Sequence, residues 1–263
     1  MTESKFIIKV RGSVWARIGG IKRHPQAKLH PADVVVIGLI YAKRGGHFRS
    51  FYRWLKVHYE WLFGSLPERS RLSRLLQIHA HHTTGFLGEV SFFTLLDSYG
   101  IELLHPVREH RSQHPLGKKG KSNRRWIVGV KVAWLLNQRG QVVCWDWATA
   151  NVHDQYFRPL AHQFDQQTIT LCDLHFRKQG EPLLNLKPCR HKTWSERMLI
   201  ERTFAILSKV FTLKRLFHRR PPYLYAHLAF VAALFNLFLD WVYSDFPHAS
   251  PDFALSFIST LPF

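Results

Sequence analysis

The segment Tyr223 to Tyr243 restricts the fold most strongly, because it is apolar over almost its whole length (YLYAHLAFVAALFNLFLDWVY). A helix that spans a bilayer needs about 20 predominantly apolar residues, so the segment is either a membrane span or a helix buried in a protein core. It contains His227, Asn236 and Asp240, and two arginines precede it. These polar groups favour the core, and we predict a buried helix and no membrane partner.

The chain is strongly basic, with 37 Lys and Arg against 18 Asp and Glu and a formal net charge of +19. Apolar residues make up 46% and aromatic residues 14% of it, which excludes a disordered basic tail. A folded chain with this charge is suited to a polyanion, and nucleic acid is the commonest such partner. Binding without any chemistry stays open on composition alone.

The cysteines Cys144, Cys172 and Cys189 are too few and too scattered for a disulfide framework or a zinc ribbon. The segment Met1 to Arg11 is charged and lacks an apolar core of signal-peptide length. Both features predict a reducing, cytoplasmic location.

The chain up to about residue 85 predicts a helical, basic region. Asp33 to Ala42 is an apolar run, Phe48 to Phe63 has apolar residues at helical spacing, and a further helix is expected from about Arg71. Such a region suits the recognition of DNA ends, although the solvated face of a helical bundle has the same pattern. We therefore divide the chain into residues 1–85 and 86–263.

Two short apolar runs of the second region end in an acid. Val90 to Leu96 predicts a buried strand followed by Asp97, and Thr168 to Cys172 predicts a second strand followed by Asp173. An acid at a strand end is often only a cap or turn residue. Two of them on apolar strands in so basic a chain point to a site.

Other elements surround these strands. Trp126 to Leu136 and Gln141 to Ala148 predict a hairpin, and His105 to Arg125 is expected to be a basic loop. Asn151 to Asp154 is expected to begin a helix, and Leu183 to Leu186 to form a further strand. The order predicts an α/β fold with a mixed sheet.

A long helix is expected from about Ser195, with Glu201 in its second turn. Hard divalent cations prefer oxygen ligands, and Mg²⁺ typically takes one or two carboxylates with substrate phosphate oxygens and water. Carboxylates that hold two such ions support in-line phosphoryl displacement. Asp97, Asp173 and Glu201 are therefore the candidate catalytic residues.

The sequence resembles the DDE transposases of bacterial insertion sequences over roughly Pro31 to Tyr243. The motifs that carry the resemblance are Leu95-Leu-Asp-Ser98, Gly129-Val-Lys131, Thr149-Ala-Asn-Val-His-Asp154, Asp173 and Arg197-Met-Leu-Ile-Glu-Arg-Thr-Phe204, with Leu66-Pro-Glu-Arg-Ser-Arg-Leu-Ser-Arg74 upstream. The resemblance implies a ribonuclease-H-like mixed sheet flanked by helices, behind a basic helical N-terminal region.

Carried over by position, Asp97, Asp173 and Glu201 match the three catalytic acids, which implies binding of Mg²⁺, or Mn²⁺ in its place. Arg197 matches an arginine of the family's Tyr-Arg-Glu-Lys signature, and Trp194 stands at the tyrosine position. The implied function is cutting and joining of double-stranded DNA at the terminal inverted repeats of an element, in the nucleoid and with a homodimer on the DNA. The residues expected to bind DNA, besides Arg197 and Trp194, are Lys131, Lys118, Lys119, Lys121, Arg124, Arg125 and Lys209.

Two positions depart from the family pattern. Leu174-His175-Phe176 follows Asp173 in place of Lys-Gly-Tyr, and Lys209 stands one residue after the position of the signature lysine, which Ser208 occupies. A DNA-binding derivative without catalysis, or a structure-specific nuclease on the same core, are the alternatives.

Overall fold

The fold is described by a computed structural model for residues 2–111, 116–122, 125–189 and 197–260. The α-helices are α1 (Glu3–Ile18), α2 (Pro31–Arg44), α3 (Phe48–Phe63), α4 (Arg69–His79), α5 (Pro159–His162), α6 (Arg197–Val210), α7 (Pro221–Asp245) and α8 (Pro251–Thr260). The strands are β1 (Phe93–Leu104), β2 (Lys118–Ser122), β3 (Arg125–Asn137), β4 (Val142–Thr149), β5 (Ile169–Asp173) and β6 (Leu186–Cys189). The chain divides into two compact units: Met1–Phe86 with Arg220–Phe238, and Leu87–Arg219 with Leu239–Ser259.

The first unit is helical, and the predicted helices of this region are confirmed as α2, α3 and α4. Its core includes a close approach of α2 to α7, where a Cβ on Gly38 would lie 2.4 Å from the ring of Phe230. Asp33, buried at the start of α2, accepts hydrogen bonds from Arg11 Nε at 3.0 Å and Trp15 Nε1 at 2.9 Å. The glycine and this charged hydrogen-bond cluster fix α2 at the centre of the unit.

Among the described residues, α7 is the helix long and apolar enough to cross a membrane, judged by length and composition alone. Of its most apolar window, 83% is buried in the structure. Its Asn236 side chain donates a hydrogen bond to the Phe86 carbonyl at 2.9 Å. The prediction of a buried helix is therefore confirmed.

The described part of the second unit contains a six-stranded mixed sheet. β3 pairs antiparallel with β1 and β4, β1 pairs parallel with β5, and β5 pairs parallel with β6. The strand order is β2-β3-β1-β5-β6, with β4 also paired to β3, so an antiparallel part is followed by parallel strands, and helices flank the sheet. This arrangement is consistent with a ribonuclease-H-like fold, as predicted.

The strand that carries Asp97 is longer than predicted. β1 continues past Asp97 to Leu104, with Ser98, Tyr99 and Gly100 paired to Ala133, Val132 and Lys131 of β3. Asp97 therefore lies within a strand and not at its end. The polar and glycine residues after Asp97 are compatible with a strand here because β3 lies beside them.

The predicted basic loop His105 to Arg125 is also corrected. It contains a 3₁₀ helix, Pro106–Arg111, and the strand β2, which pairs antiparallel with the first residues of β3. β2 consists of Lys-Lys-Gly-Lys-Ser, so no apolar alternation marks it as a strand. The predicted hairpin of β3 and β4 is confirmed, with Gly140 at φ 77° in its turn.

Two further boundaries differ from expectation. The helix expected from Asn151 to Asp154 is a 3₁₀ turn, Asp154–Phe157, followed by the single turn of α5. The strand expected at Leu183 to Leu186 is β6, which begins at Leu186 and extends into the basic stretch. The start predicted for α6 at Ser195 lies outside the described residues.

The two faces of the sheet are covered differently. On one face, the α6 face, Tyr99 of β1 stacks on Phe204 of α6 with ring centroids 5.3 Å apart. On the other, the Phe157 face, Leu96 and Ala133 pack in a buried cluster with Phe157 and Phe176. Because side chains alternate along a strand, Asp97 and Tyr99 point to the α6 face and Ser98 to the Phe157 face.

Candidate active site

Asp97 and Asp173 lie side by side on neighbouring parallel strands. Leu95 pairs with Leu171 and Leu96 with Cys172, so the two acids follow the last pair at matching positions. Matching residues of parallel strands point to the same face, and neighbouring strands are about 4.8 Å apart. The sheet therefore brings the two predicted acids together on the α6 face.

Both acids are half-buried at the edge of a small cleft. The cleft is lined by Leu95, Leu96, Asp97, Leu171, Cys172, Asp173, Cys189 and Ile200. Asp97 Oδ1 accepts a hydrogen bond from the backbone N of Ser98 at 2.7 Å, and Asp173 Oδ1 accepts one from Leu174 at 2.5 Å. Each carboxylate is thus held by the next residue of its own chain segment.

The three residues after Asp173 form a 3₁₀ helix, with Asp173 as its N-terminal cap. Phe176 is fully buried in the cluster on the Phe157 face, whereas Leu174 is 45% exposed. Of the residues that differ from the family pattern after Asp173, Phe176 thus fills a core position, and Leu174 does not cover the Asp173 carboxylate.

Glu201 is exposed near the start of α6. Phe204, three residues later, stacks on Tyr99, and Tyr99 Oη shares a 2.5 Å hydrogen bond with Ser208 Oγ. Residues three and seven apart share a helix face, so Glu201 lies on the side of α6 that faces β1. Its neighbour Ile200 lines the cleft of Asp97 and Asp173.

Among the described residues, no group of three or more His, Cys, Asp and Glu side chains is placed to hold a metal ion. The residues nevertheless fit Mg²⁺ as a pair, because Asp97 and Asp173 present two half-buried carboxylates in one cleft. Mg²⁺ typically takes one or two protein carboxylates and completes its shell with phosphate oxygens and water.

Two cysteines, Cys172 and Cys189, lie at the site, although the sequence did not predict them as site residues. Cys189 of β6 is paired with Asp173, so it continues the row of Asp97 and Asp173 across a third strand. Burial, followed by the charges of Cys189, Asp173 and Asp97, raises the pKa of the Cys172 thiol to about 12. The pairing of β5 and β6 creates this neighbourhood, and nothing in the local sequence of Cys189 signals it.

Lys131, expected to bind a DNA phosphate, has a carboxylate partner. Its Nζ donates to Asp154 Oδ1 at 2.9 Å, and Ser98 Oγ donates to the same oxygen at 2.6 Å. Lys131 is paired with Gly100, so it points to the Phe157 face, opposite to Asp97. This placement argues against a phosphate contact beside Asp97.

The hairpin of β2 and β3 places the other predicted basic residues on the surface. Lys118, Lys119, Lys121 and Arg125 are all exposed. Lys119 Nζ lies 3.9 Å from Glu109 and 5.7 Å from the ring of Trp126, which is itself 59% exposed. Arg125 lies 3.4 Å from the carboxylate of Glu102, so Lys118 and Lys121 are the cations of this basic hairpin without an acid partner among the described residues.

The remaining predicted DNA contacts are partly described. Lys209 is exposed on α6, and Ser208 before it bonds to Tyr99. Arg197 is the first residue of α6, but its side chain lies outside the described part of the structure, as do Trp194 and Arg124.

Comparisons with known proteins add little. No family model matches the chain, and no curated protein matches it. Among solved structures, a crystal structure of a pre-cleavage Mos1 transpososome is 14% identical over 92% of this chain and 79% of that chain, with a TM-score of 0.17. A TM-score this low carries no argument about fold or function.

Proposed function

We propose that the chain is a DDE-type DNA transposase that cuts and joins strands at the terminal inverted repeats of an insertion sequence. The observation that carries the proposal is the pair of Asp97 and Asp173, which the parallel pairing of β1 and β5 sets side by side in one cleft. A chain with a formal net charge of +19 supplies the affinity for DNA that these carboxylates oppose.

In this proposal, Asp97 and Asp173 bind the divalent cation, and Glu201 of α6 completes the set of metal-binding acids. Bound Mg²⁺ would activate the attacking oxygen and stabilise the leaving oxygen of an in-line displacement. The chain's own part is positional: Ser98 N and Leu174 N orient the two carboxylates, and the packing of Phe204 on Tyr99 holds α6 over β1.

The hairpin of β2 and β3 binds the DNA backbone in this proposal. The ammonium groups of Lys118 and Lys121 have no acid partner among the described residues, whereas Lys119 is only 3.9 Å from Glu109. Phosphate contacts of this kind position DNA without reading its sequence. In this proposal, residues 1–85 bind the ends of the element, and a homodimer brings the two ends together.

A DNA-binding derivative without catalysis is the second candidate. It is favoured by the exposure of Glu201 and by the lack, among the described side chains, of a group of three metal-ligating residues. Such a protein would bind DNA with a steep salt dependence and would cut nothing.

A plasmid excision assay with the gene's native flanks separates the two candidates. We expect Mg²⁺- or Mn²⁺-dependent excision by the wild type and none by Asp97→Asn, Asp173→Asn or Glu201→Gln. Asp146→Asn is the matched control, because Asp146 is an exposed strand residue whose carboxylate also accepts a bond from the next backbone N, at 2.7 Å. Cleavage of branched DNA without native flanks would support a structure-specific nuclease instead.

A further inference from the structure

An open pocket lies at the far end of β1 from Asp97. It is lined by His105, Val107, Arg108 and Arg215. Two arginines and a histidine therefore contribute to one concave surface, and none of these residues belongs to the cleft of Asp97 and Asp173. A pocket with this lining is suited to an anion.

Backbone pairing fixes the walls of the pocket. Glu102 N donates to the Lys214 carbonyl at 3.1 Å, and Leu216 N donates to the Glu102 carbonyl at 2.9 Å. These bonds hold Arg215 beside β1 as an isolated parallel bridge. Arg108 lies on the 3₁₀ helix that directly follows β1, so both arginines are carried by segments anchored to the same strand.

The charge around the pocket is mostly unneutralised. The Glu102 carboxylate lies 3.4 Å from Arg125 and 3.6 Å from Arg215, and the side chain of Arg215 remains 55% exposed. Arg108 is exposed and has no acid partner in the described part of the chain. Lys214 and Arg219 are exposed and close to Arg215 in sequence, so the segment that carries Arg215 is itself basic.

We propose that this pocket binds a phosphate of the DNA backbone, held by Arg108 and Arg215 with His105 beside them. The proposal rests on the proposed function in that the partner is DNA. Glu102 is five residues along β1 from Asp97, about 17 Å at 3.4 Å per residue. Because side chains alternate along β1, Glu102 points to the sheet face opposite to Asp97, so the pocket takes a different part of the DNA backbone from the part that lies at Asp97.

The test is the salt dependence of binding to a fluorescein-labelled 30-base-pair duplex, measured by fluorescence anisotropy between 50 and 300 mM KCl in EDTA. Each phosphate contact contributes about 0.9 to the slope of log K against log salt concentration. We expect the slope to fall by about one unit in Arg108→Gln and in Arg215→Gln, and by no more in the double variant, because both side chains hold one phosphate.

Lys178→Gln is the control, since it removes one positive charge that lies outside the pocket lining and contacts Glu181; its slope should equal that of the wild type. Arg215→Lys keeps the positive charge, so it should keep the wild-type slope and lose only the part of the affinity that the bidentate fork of the arginine supplies. A steep wild-type slope that the pocket variants leave unchanged would overturn the pocket alone. A wild type that does not bind the duplex would overturn the proposed function as well.

Discussion

Lys131 donates a hydrogen bond to Asp154 at 2.9 Å on the sheet face opposite to Asp97. The same carboxylate oxygen accepts from Ser98, whose backbone N holds the Asp97 carboxylate. The side chains of Lys131 and Asp154 are only 14% and 19% exposed. The ion pair of the motif residues Lys131 and Asp154 therefore stabilises β1, the strand that carries Asp97, on the opposite face of the sheet.

We predict that Lys131→Gln destabilises the fold without weakening the phosphate contacts. The variant leaves Asp154 without its cation in a largely buried position, which should lower the free energy of unfolding by about 2 kcal/mol. Urea denaturation measures this loss. The slope of DNA affinity against salt should stay at the wild-type value.

Lys121→Gln provides the comparison, since Lys121 is exposed on β2. It should leave the stability within about 0.5 kcal/mol of the wild type and reduce the salt slope by about one. A reduced slope in Lys131→Gln would return Lys131 to the DNA-binding set.

The contact of Tyr99 with Phe204 links α6 to β1. Phe204 is 7% exposed, and Phe204→Ala should lower the free energy of unfolding by about 3 kcal/mol through lost burial and the cavity left behind. Tyr99→Phe, which removes only the bond to Ser208, should cost about 1 kcal/mol. Equal effects of the two variants in thermal denaturation would show that the ring packing contributes nothing beyond the hydrogen bond.

The sheet could be predicted largely from the sequence because most of its strands bury apolar side chains. The runs before Asp97 and Asp173 and the hairpin of β3 and β4 show this directly. The juxtaposition of the two acids is a consequence of the register between β1 and β5. No local pattern encodes that register, since it depends on residues 76 positions apart, such as Leu95 and Leu171.

The features that the sequence did not predict, β2 and the role of Lys131, depend on tertiary contacts. β2 has no apolar alternation and forms because the edge of β3 offers backbone partners to Lys118–Ser122. The role of Lys131 depends on Asp154, which the turn after β4 brings to it. In both cases the sequence predicts basic residues exposed to solvent. The lysines of β2 are exposed, whereas Lys131 is largely buried.

Thiol reactivity offers a direct test of burial at the site. Burial raises the pKa of both Cys172 and Cys144 to about 12, and the thiolate is the reactive form. Native protein treated with iodoacetamide at pH 8 should therefore remain unmodified at both residues by peptide mass mapping. Unfolding in urea should expose both, and rapid labelling of Cys172 before unfolding would contradict the packing of β5.

Stability should fall on acidification through His79. Burial, then the positive charges of His82 and His81, lower its pKa from 6.5 to about 4. Below pH 6.5 the unfolded chain binds a proton that the folded chain takes up only near pH 4. The unfolded state is therefore favoured progressively between these values, by about 2 kcal/mol at pH 5 as an upper limit.

Thermal denaturation from pH 8 to pH 5 measures this loss. His79→Gln should flatten the decline, and the exposed residue His24 supplies the control variant His24→Gln, which should leave it unchanged. An identical decline in the wild type and in His79→Gln would show that the protonation of His79 does not cause the loss of stability.

The pairing of Asp97 with Asp173 is tested most directly by Mn²⁺ binding, followed through the electron paramagnetic resonance signal of the free ion. Asp97→Asn and Asp173→Asn should each weaken binding about tenfold or more, since even outer-shell changes cost that much. The double variant should be little worse than either, because both carboxylates hold the same ion. Asp146→Asn should bind as the wild type does. A shared site would be contradicted if neither single substitution weakened Mn²⁺ binding. It would also be contradicted if the loss of affinity in the double variant equalled the sum of the losses in the two single variants.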